Sequence, residues 1–146
     1  MVLELFDLSP IPLYNEDVRA LGFPECVKEF RDHIAATDAL LIATPEYNYS
    51  IPGVLKNAID WASRPPDSPL NAKPAAIMGA SPGNFGTVRA QLHLRQICVG
   101  VNLLLLNRPE VLVMRAREKF DADGRLVDEE TRGFLRDLLV ALAGWV

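Results

Sequence analysis

Residues 39–62 read ALLIATPEYNYSIPGVLKNAIDWA and decide the fold. An uninterrupted apolar run such as residues 39–43 is typical of a strand covered by helices on both faces of a parallel sheet. A turn with prolines at 45 and 52 follows. Apolar residues then recur at three- and four-residue spacing and predict a helix, which Pro65 and Pro66 end: Val54, Leu55, Ala58, Ile59 and Ala62. Strand, turn and helix in this order make up most of a βαβ unit.

The same alternation extends in both directions from this stretch. Upstream, Val2–Phe6 predicts a strand that Pro10 and Pro12 close off, and the spacing of Val27, Phe30 and Ile34 predicts a helix over 25–36. Downstream, the patterns predict strands at 75–79, 102–106 and 110–113, helices at 87–99 and 129–142, and a surface turn at 121–124. The sequence therefore predicts an α/β fold with a parallel sheet, in one domain over residues 1–146.

Composition narrows the class of partner. The 146 residues are 49% hydrophobic and 23% charged, as in globular proteins, and the net charge of −4 argues against binding to nucleic acid. The longest apolar run is too short for a membrane span, and the first residues lack a secretory leader, so we expect a cytoplasmic protein. Cys26 and Cys98 form no zinc-binding pattern and are expected to be reduced packing residues. A small-molecule or protein partner is favoured.

The turn at Thr44–Pro52 is the first candidate site, because ligands of open parallel sheets bind beyond the carboxyl ends of the strands. Its prolines fix the backbone, Tyr47 and Tyr49 offer flat apolar faces, and Asn48 can donate and accept hydrogen bonds. Such a loop suits a planar heteroaromatic ligand. From these residues alone, a rigid turn with two surface tyrosines is an equally good interpretation.

The turn at Gly79–Gly86, with sequence GASPGNFG, follows the next buried strand. Its glycines permit a close approach of the backbone to a ligand. Without further information, a plain turn leading into a helix at Thr87 is the better interpretation, since a glycine-rich loop is weak evidence of a site.

The run from Thr44 to Arg64 resembles the signature of the NADPH-dependent FMN reductases, the group that includes quinone, chromate and azo reductases. The resemblance extends through Glu118–Leu126 to the final helix. It implies a flavodoxin-like three-layer sandwich with FMN as cofactor and NADPH as electron donor. It also implies that the helix after the first loop helps to build a homodimer or homotetramer. The residues that it places against the isoalloxazine ring are Pro45, Glu46, Tyr47 and Asn48 from the first loop, and Ser81, Gly83 and Gly86 from the second.

The resemblance implies a two-electron transfer from NADPH through the flavin to a small-molecule acceptor, which would be a quinone, an azo compound, chromate or free flavin. Because the flavin carries the chemistry, no catalytic side chain is expected. The lone His33 and His93 are expected to be packing or surface residues. No metal ligands are expected either.

One part of the family pattern has no counterpart in this sequence. The first strand and its phosphate-binding loop do not match anything between Met1 and Thr44. We therefore expect an N-terminally truncated version of the fold, in which Val2–Phe6 pairs directly with Ala39–Ala43 in a four-stranded sheet. An alternative is that the sequence begins inside a longer protein.

Two other functions are alternatives to a reductase. The first is a non-catalytic relic or interaction domain with weakened FMN binding. The second is a flavodoxin-like electron carrier, which the tyrosine loop makes less favoured.

Overall fold

The computed structural model describes residues 1–146 as alternating helices and strands. The helices are α1 (Glu16–Ala20), α2 (Glu25–Ala36), α3 (Gly53–Ala62), α4 (Val88–Gly100), α5 (Ala116–Lys119) and α6 (Glu129–Ala143). The strands are β1 (Leu40–Ala43), β2 (Pro74–Ala80), β3 (Leu104–Leu105) and β4 (Val111–Val113). The predicted α/β order is confirmed, with element ends that differ by one or two residues for most elements.

The sheet is parallel throughout and is built around β2. Strand β1 pairs with it from Leu40↔Ala75 to Ala43↔Met78. On the opposite side, β3 pairs with the start of β2 and β4 with its end, where Met78 faces Val111. Since β3 and β4 lie along the same side of β2, they act as one interrupted strand. The predicted strands 102–106 and 110–113 are therefore present in shorter form.

Helices cover both faces of the sheet. Successive side chains of a strand point to opposite faces, and Ala75 and Ile77 of β2 accordingly pack against α2, α3 and α4. Ala76 of β2 faces the other way, onto Leu138 and Leu142 of α6. The three layers match the predicted flavodoxin-like sandwich, with three helices on one face and α6 on the other.

The prediction of a strand at Val2–Phe6 is wrong. This segment has no strand structure, and Val2 and Leu5 are fully or almost fully exposed. The Phe6 ring instead contacts the rings of Phe30 and His33 on α2, each at 5.0 Å between centroids. These contacts hold the segment on α2, so it does not pair with β1.

The chain from residue 11 to residue 14 is fastened to α3. The fully buried Trp61 donates from Nε1 to the Pro12 carbonyl at 2.8 Å, and Asn57 Nδ2 donates to the same oxygen at 2.9 Å. Tyr14 N donates to Asn57 Oδ1 at 2.7 Å. Helix α3 is thereby packed on both sides, with Ile59 in the cluster against the sheet and Trp61 in the cluster with Ile11. No helix is long and apolar enough to cross a bilayer.

Candidate functional site

Both predicted loops lie at the same edge of the sheet, where ligands of open α/β sheets bind. They follow the neighbouring parallel strands β1 and β2, whose ends are in register at Ala43 and Met78. Thr44 N donates to Met78 O at 3.0 Å, which ties the start of the first loop to β2. Ser81 N donates to Val113 O at 2.9 Å and ties the second loop to β4. The structure therefore brings the two sets of predicted site residues to one edge.

The first loop is a tight two-residue turn. Tyr47 N donates to Ser50 O at 2.9 Å and Ser50 N donates to Tyr47 O at 3.0 Å, which closes the turn. The central residues, Asn48 and Tyr49, have φ angles of 50° and 68°, in the left-handed region that side chains other than glycine rarely adopt. Both tyrosine side chains are mostly exposed. Such strained turns cluster at functional sites, and this one displays two aromatic rings.

Glu46 turns inward from the same loop and meets the start of α4. Its Oε2 accepts hydrogen bonds from the backbone N–H of Arg89 at 3.0 Å and of Ala90 at 3.2 Å. Its Oε1 accepts one from Arg89 Nη1 at 2.7 Å. Burial alone raises the pKa of Glu46, but these hydrogen bonds outweigh burial and lower the pKa below its ordinary value of 4.5. Glu46 is thus an ionised cap of α4.

Glycines in and before the second loop let the backbone segments meet. A Cβ on Gly79 would lie 2.1 Å from Thr87 Oγ1 and 2.5 Å from the Thr44 carbonyl oxygen. Gly86 has a φ of 52°, and a Cβ there would lie 2.6 Å from the Leu112 carbonyl carbon. A Cβ on Gly83 would meet nothing within 4 Å. Gly79 and Gly86 are therefore required by packing within the protein, whereas Gly83 faces open space.

The sequence pattern did not predict a role for Arg89 or Phe85, nor the contact that Tyr49 makes. The Arg89 guanidinium carbon lies 4.0 Å from the centroid of the Tyr49 ring and 4.2 Å from that of Phe85. His93, one turn further along α4, has its Nδ1 3.0 Å from Ser50 Oγ. The sequence did offer a signal for the ion pair: Glu46 is an acidic residue in the first loop, and Arg89 is a basic residue in the first turn of the helix that follows the second loop.

The residues at this edge suit the ring portion of a flavin. They provide aromatic side chains, backbone groups in a fixed turn, and open space above Gly83. The phosphate of a flavin nucleotide would need protein groups other than the start of α4. There the backbone N–H groups of Arg89 and Ala90 already donate to the Glu46 carboxylate. No three histidine, cysteine, aspartate or glutamate side chains are placed to hold a metal ion.

The fold and the paired loops define a flavodoxin-like α/β oxidoreductase. A family model for the NADPH-dependent FMN reductases matches residues 1–118, and the chain belongs to that family. It is accordingly an oxidoreductase with FMN as cofactor and NADPH as electron donor, as the sequence analysis predicted.

Named relatives agree with this assignment. The chain is 61% identical over 146 residues to an NAD(P)H-dependent FMN reductase of Pseudomonas aeruginosa, covering all of this chain and 79% of the relative. It is 45% identical over 144 residues to a 2-hydroxy-1,4-benzoquinone reductase of a Burkholderia species, covering 98% of this chain and 78% of the relative. Among solved structures, the flavoenzyme NAD(P)H:(acceptor) oxidoreductase FerB of Paracoccus denitrificans superposes with a TM-score of 0.85 at 40% identity. That match covers 94% of this chain and 76% of FerB.

Proposed function

We propose that the chain transfers two electrons from NADPH, with FMN as the cofactor, to quinones, and that azo compounds, chromate and free flavin are further acceptors. The observation that carries the proposal is that the strained turn at Asn48 and Tyr49 and the open space at Gly83 lie at the same edge of the sheet. A relative at 45% identity is named as a 2-hydroxy-1,4-benzoquinone reductase, which favours quinones as the first acceptors to test.

In this proposal the isoalloxazine ring is held by Pro45, Glu46, Tyr47 and Asn48 on one side and by Ser81, Gly83 and Gly86 on the other. FMN supplies the group that accepts and returns a hydride, so the protein needs no catalytic acid, base or nucleophile of its own. The chain's task is to bind and orient the ring and to leave one face open for NADPH and the acceptor. The exposure of Tyr47 and Tyr49 supports this arrangement, because exposed flat side chains can stack on planar ligands.

The proposal extends to assembly, domain organisation and location. In this proposal residues 1–146 form a single flavodoxin-like domain. We also propose a homodimer or homotetramer built on α3 and α4, where Val54 and Leu92 are exposed. Light scattering on the purified chain at several concentrations measures the assembly. The cytoplasmic location remains a prediction that cell fractionation tests.

The decisive experiment has two stages. The purified chain is first titrated with FMN, using the flavin fluorescence to measure the dissociation constant. It is then mixed with FMN and NADPH without oxygen, where we expect bleaching of the flavin absorbance, and a quinone is added to restore it.

Each result has a separate meaning. Absence of FMN binding would support the alternative of a relic or interaction domain. Binding without bleaching would refute the reductase activity of this chain. If chromate or an azo dye restores the flavin absorbance and a quinone does not, the quinone is not the acceptor of this chain.

A further inference from the structure

The Arg89 side chain contacts both loops of the candidate site. Its Nη1 donates to Glu46 of the first loop at 2.7 Å, and its backbone N–H donates to the same carboxylate at 3.0 Å. Its guanidinium also lies against Tyr49 of the first loop and Phe85 of the second. None of these contacts belongs to the hydrogen-bonded ladder of the sheet.

The Arg89 guanidinium packs against two aromatic rings. The centroids of Tyr49 and Phe85 lie 4.0 Å and 4.2 Å from its central carbon atom, within the range of cation–π contacts. Arginine presents two flat faces for cation–π contacts and a planar edge for hydrogen bonds. Two rings and one carboxylate thus contact the same side chain, which restricts its orientation.

Little else in the protein holds these rings. Tyr49 is 66% exposed and Phe85 is 58% exposed, so neither ring is buried in the core. The charged pair is much better shielded, with side-chain exposures of 28% for Arg89 and 12% for Glu46. Electrostatic attraction is stronger in such a shielded position than at an open surface. The Glu46–Arg89 ion pair is therefore the more strongly held part of this cluster, and the Tyr49 and Phe85 rings pack against it.

Tyr49 makes this contact from a left-handed backbone conformation with a φ of 68°. That conformation is unfavourable for a tyrosine and persists only where surrounding contacts stabilise it. The Arg89 guanidinium against the ring supplies one such contact, and His93 on Ser50 supplies a second beside it. Loss of the arginine is expected to loosen the turn while the histidine contact remains.

We propose that Arg89 is a positioning residue of the flavin site, which sets the separation of the two loops and aligns Tyr49 and Phe85 at its edge. The inference rests on the proposed function for its effect on FMN, but the effect on the loops is independent of any cofactor. Arg89 acts through Glu46 and the two rings and needs no contact with the reacting atoms.

The first test uses the chain without cofactor. Hydrogen exchange is measured for the Tyr47 and Ser50 backbone amides, which close the turn, in the wild type, Arg89→Met and Arg89→Lys. Arg89→Met is expected to speed exchange about tenfold, the equivalent of one lost charge-assisted hydrogen bond. Arg89→Lys keeps the charge but not the flat faces and is expected to recover part of the protection. Unchanged exchange in Arg89→Met would overturn the inference.

Arg95→Met is the matched control. Arg95 lies on the same helix, but its guanidinium reaches Leu106 O and Asn107 Oδ1 at 3.4 to 3.5 Å, away from both loops. The control is expected to leave the exchange of Tyr47 and Ser50 as in the wild type. Equal acceleration in both variants would show a general loss of structure and would also overturn the inference.

The second test adds FMN. Arg89→Met is expected to raise the dissociation constant about tenfold, while the rate of NADPH-dependent reduction at saturating FMN changes less than about twofold. This separation of binding from turnover is not expected of a residue that contacts the reacting atoms. If the wild type binds FMN and Arg89→Met binds it equally well, the inference fails and the proposed function stands. If the wild type binds no FMN, the proposed function fails, and the exchange experiment still decides whether Arg89 holds the loops.

Discussion

Arg31 Nη1 donates a hydrogen bond of 2.6 Å to the backbone carbonyl of Ala62, the last residue of α3. The same guanidinium donates to Arg64 O at 2.9 Å and to Pro66 O at 2.7 Å. One face of it also lies 4.3 Å from the centroid of the Phe23 ring. A single buried arginine thus satisfies the free carbonyls at the end of α3 and shapes the chain that follows.

Arg31→Met is expected to destabilise the protein by about 3 kcal/mol, because it leaves several buried carbonyl groups without partners. Burial lowers the pKa of Arg31, yet an arginine remains charged at neutral pH, so its hydrogen bonds to these neutral carbonyls are charge-assisted. Urea denaturation followed by tryptophan fluorescence measures the change, since Trp61 lies in α3, the helix whose end Arg31 binds. The exposed Arg117, to which the structure assigns no hydrogen bond, provides the control Arg117→Met. Equal stability of the two variants would contradict the prediction.

Gly79→Ala and Gly83→Ala are expected to differ in their effect on stability. The new Cβ of Gly79→Ala would clash with Thr87 Oγ1 and the Thr44 carbonyl, so we expect a loss of about 2 kcal/mol or more in stability. Gly83→Ala meets no protein atom, and its stability should stay within about 0.5 kcal/mol of the wild type.

The same pair tests the ring site. If Gly83 lies against the flavin ring, Gly83→Ala should weaken FMN binding despite its normal stability, because the added methyl group occupies ligand space. Thermal unfolding and FMN titration of both variants measure the two effects. Normal FMN affinity in Gly83→Ala would remove Gly83 from the proposed site.

Cys26 and Cys98 are expected to differ in reactivity. Cys98 is buried between α4 and the sheet, and burial raises the pKa of its thiol to about 11. Because the thiolate is the reactive form, Cys98 should resist alkylation at neutral pH as long as the protein is folded. Cys26 is only half-buried. Mass spectrometry after iodoacetamide treatment should find Cys26 labelled first, and both cysteines labelled in urea. Early labelling of Cys98 would contradict its burial.

Most of the fold was predictable because it follows from local patterns. The apolar run of β1 and the helical spacing of α2 and α6 are properties of neighbouring residues, and these elements have nearly the predicted bounds. Val2–Phe6 failed because local composition cannot show that Phe6 packs on α2. Helix α1 was missed although Asn15 caps it, accepting from Asp17 N at 2.8 Å. That capping residue was a readable signal.

The candidate site was predictable in position but not in construction. The loops follow the two best strands, and general rules for parallel sheets place ligands there. The pairing of Glu46 with Arg89 joins residues that are 43 positions apart in the sequence, and no local pattern encodes it. The same holds for Gly79 and Gly86, whose need for glycine arises from their close approach to Thr87 and Leu112.

Asp128 makes the stability of the protein depend on pH in the acidic range. Its carboxylate caps α6 by accepting from Thr131 N at 2.9 Å and from Thr131 Oγ1 at 2.5 Å, and it accepts from Lys119 Nζ at 3.0 Å. The hydrogen bonds from Thr131 are the main cause of a pKa lowered to about 2. A carboxylate with a lowered pKa in the folded state stabilises the protein fully above the ordinary value of 3.8. Its contribution disappears as the pH falls toward about 2.

Asp128→Asn tests this dependence. The amide oxygen of the variant can still accept from Thr131 N, but the charge is lost. We expect the wild type to be more stable than Asp128→Asn at about pH 6, and the difference to shrink between about pH 4 and pH 2. Urea denaturation at a series of pH values measures it. Asp137→Asn, at an exposed position of α6 whose carboxylate has no hydrogen bond, serves as the control and should show a smaller difference. A difference for Asp128→Asn that stays constant down to pH 2 would mean that Asp128 acts through its shape alone, because only its charge is lost on protonation.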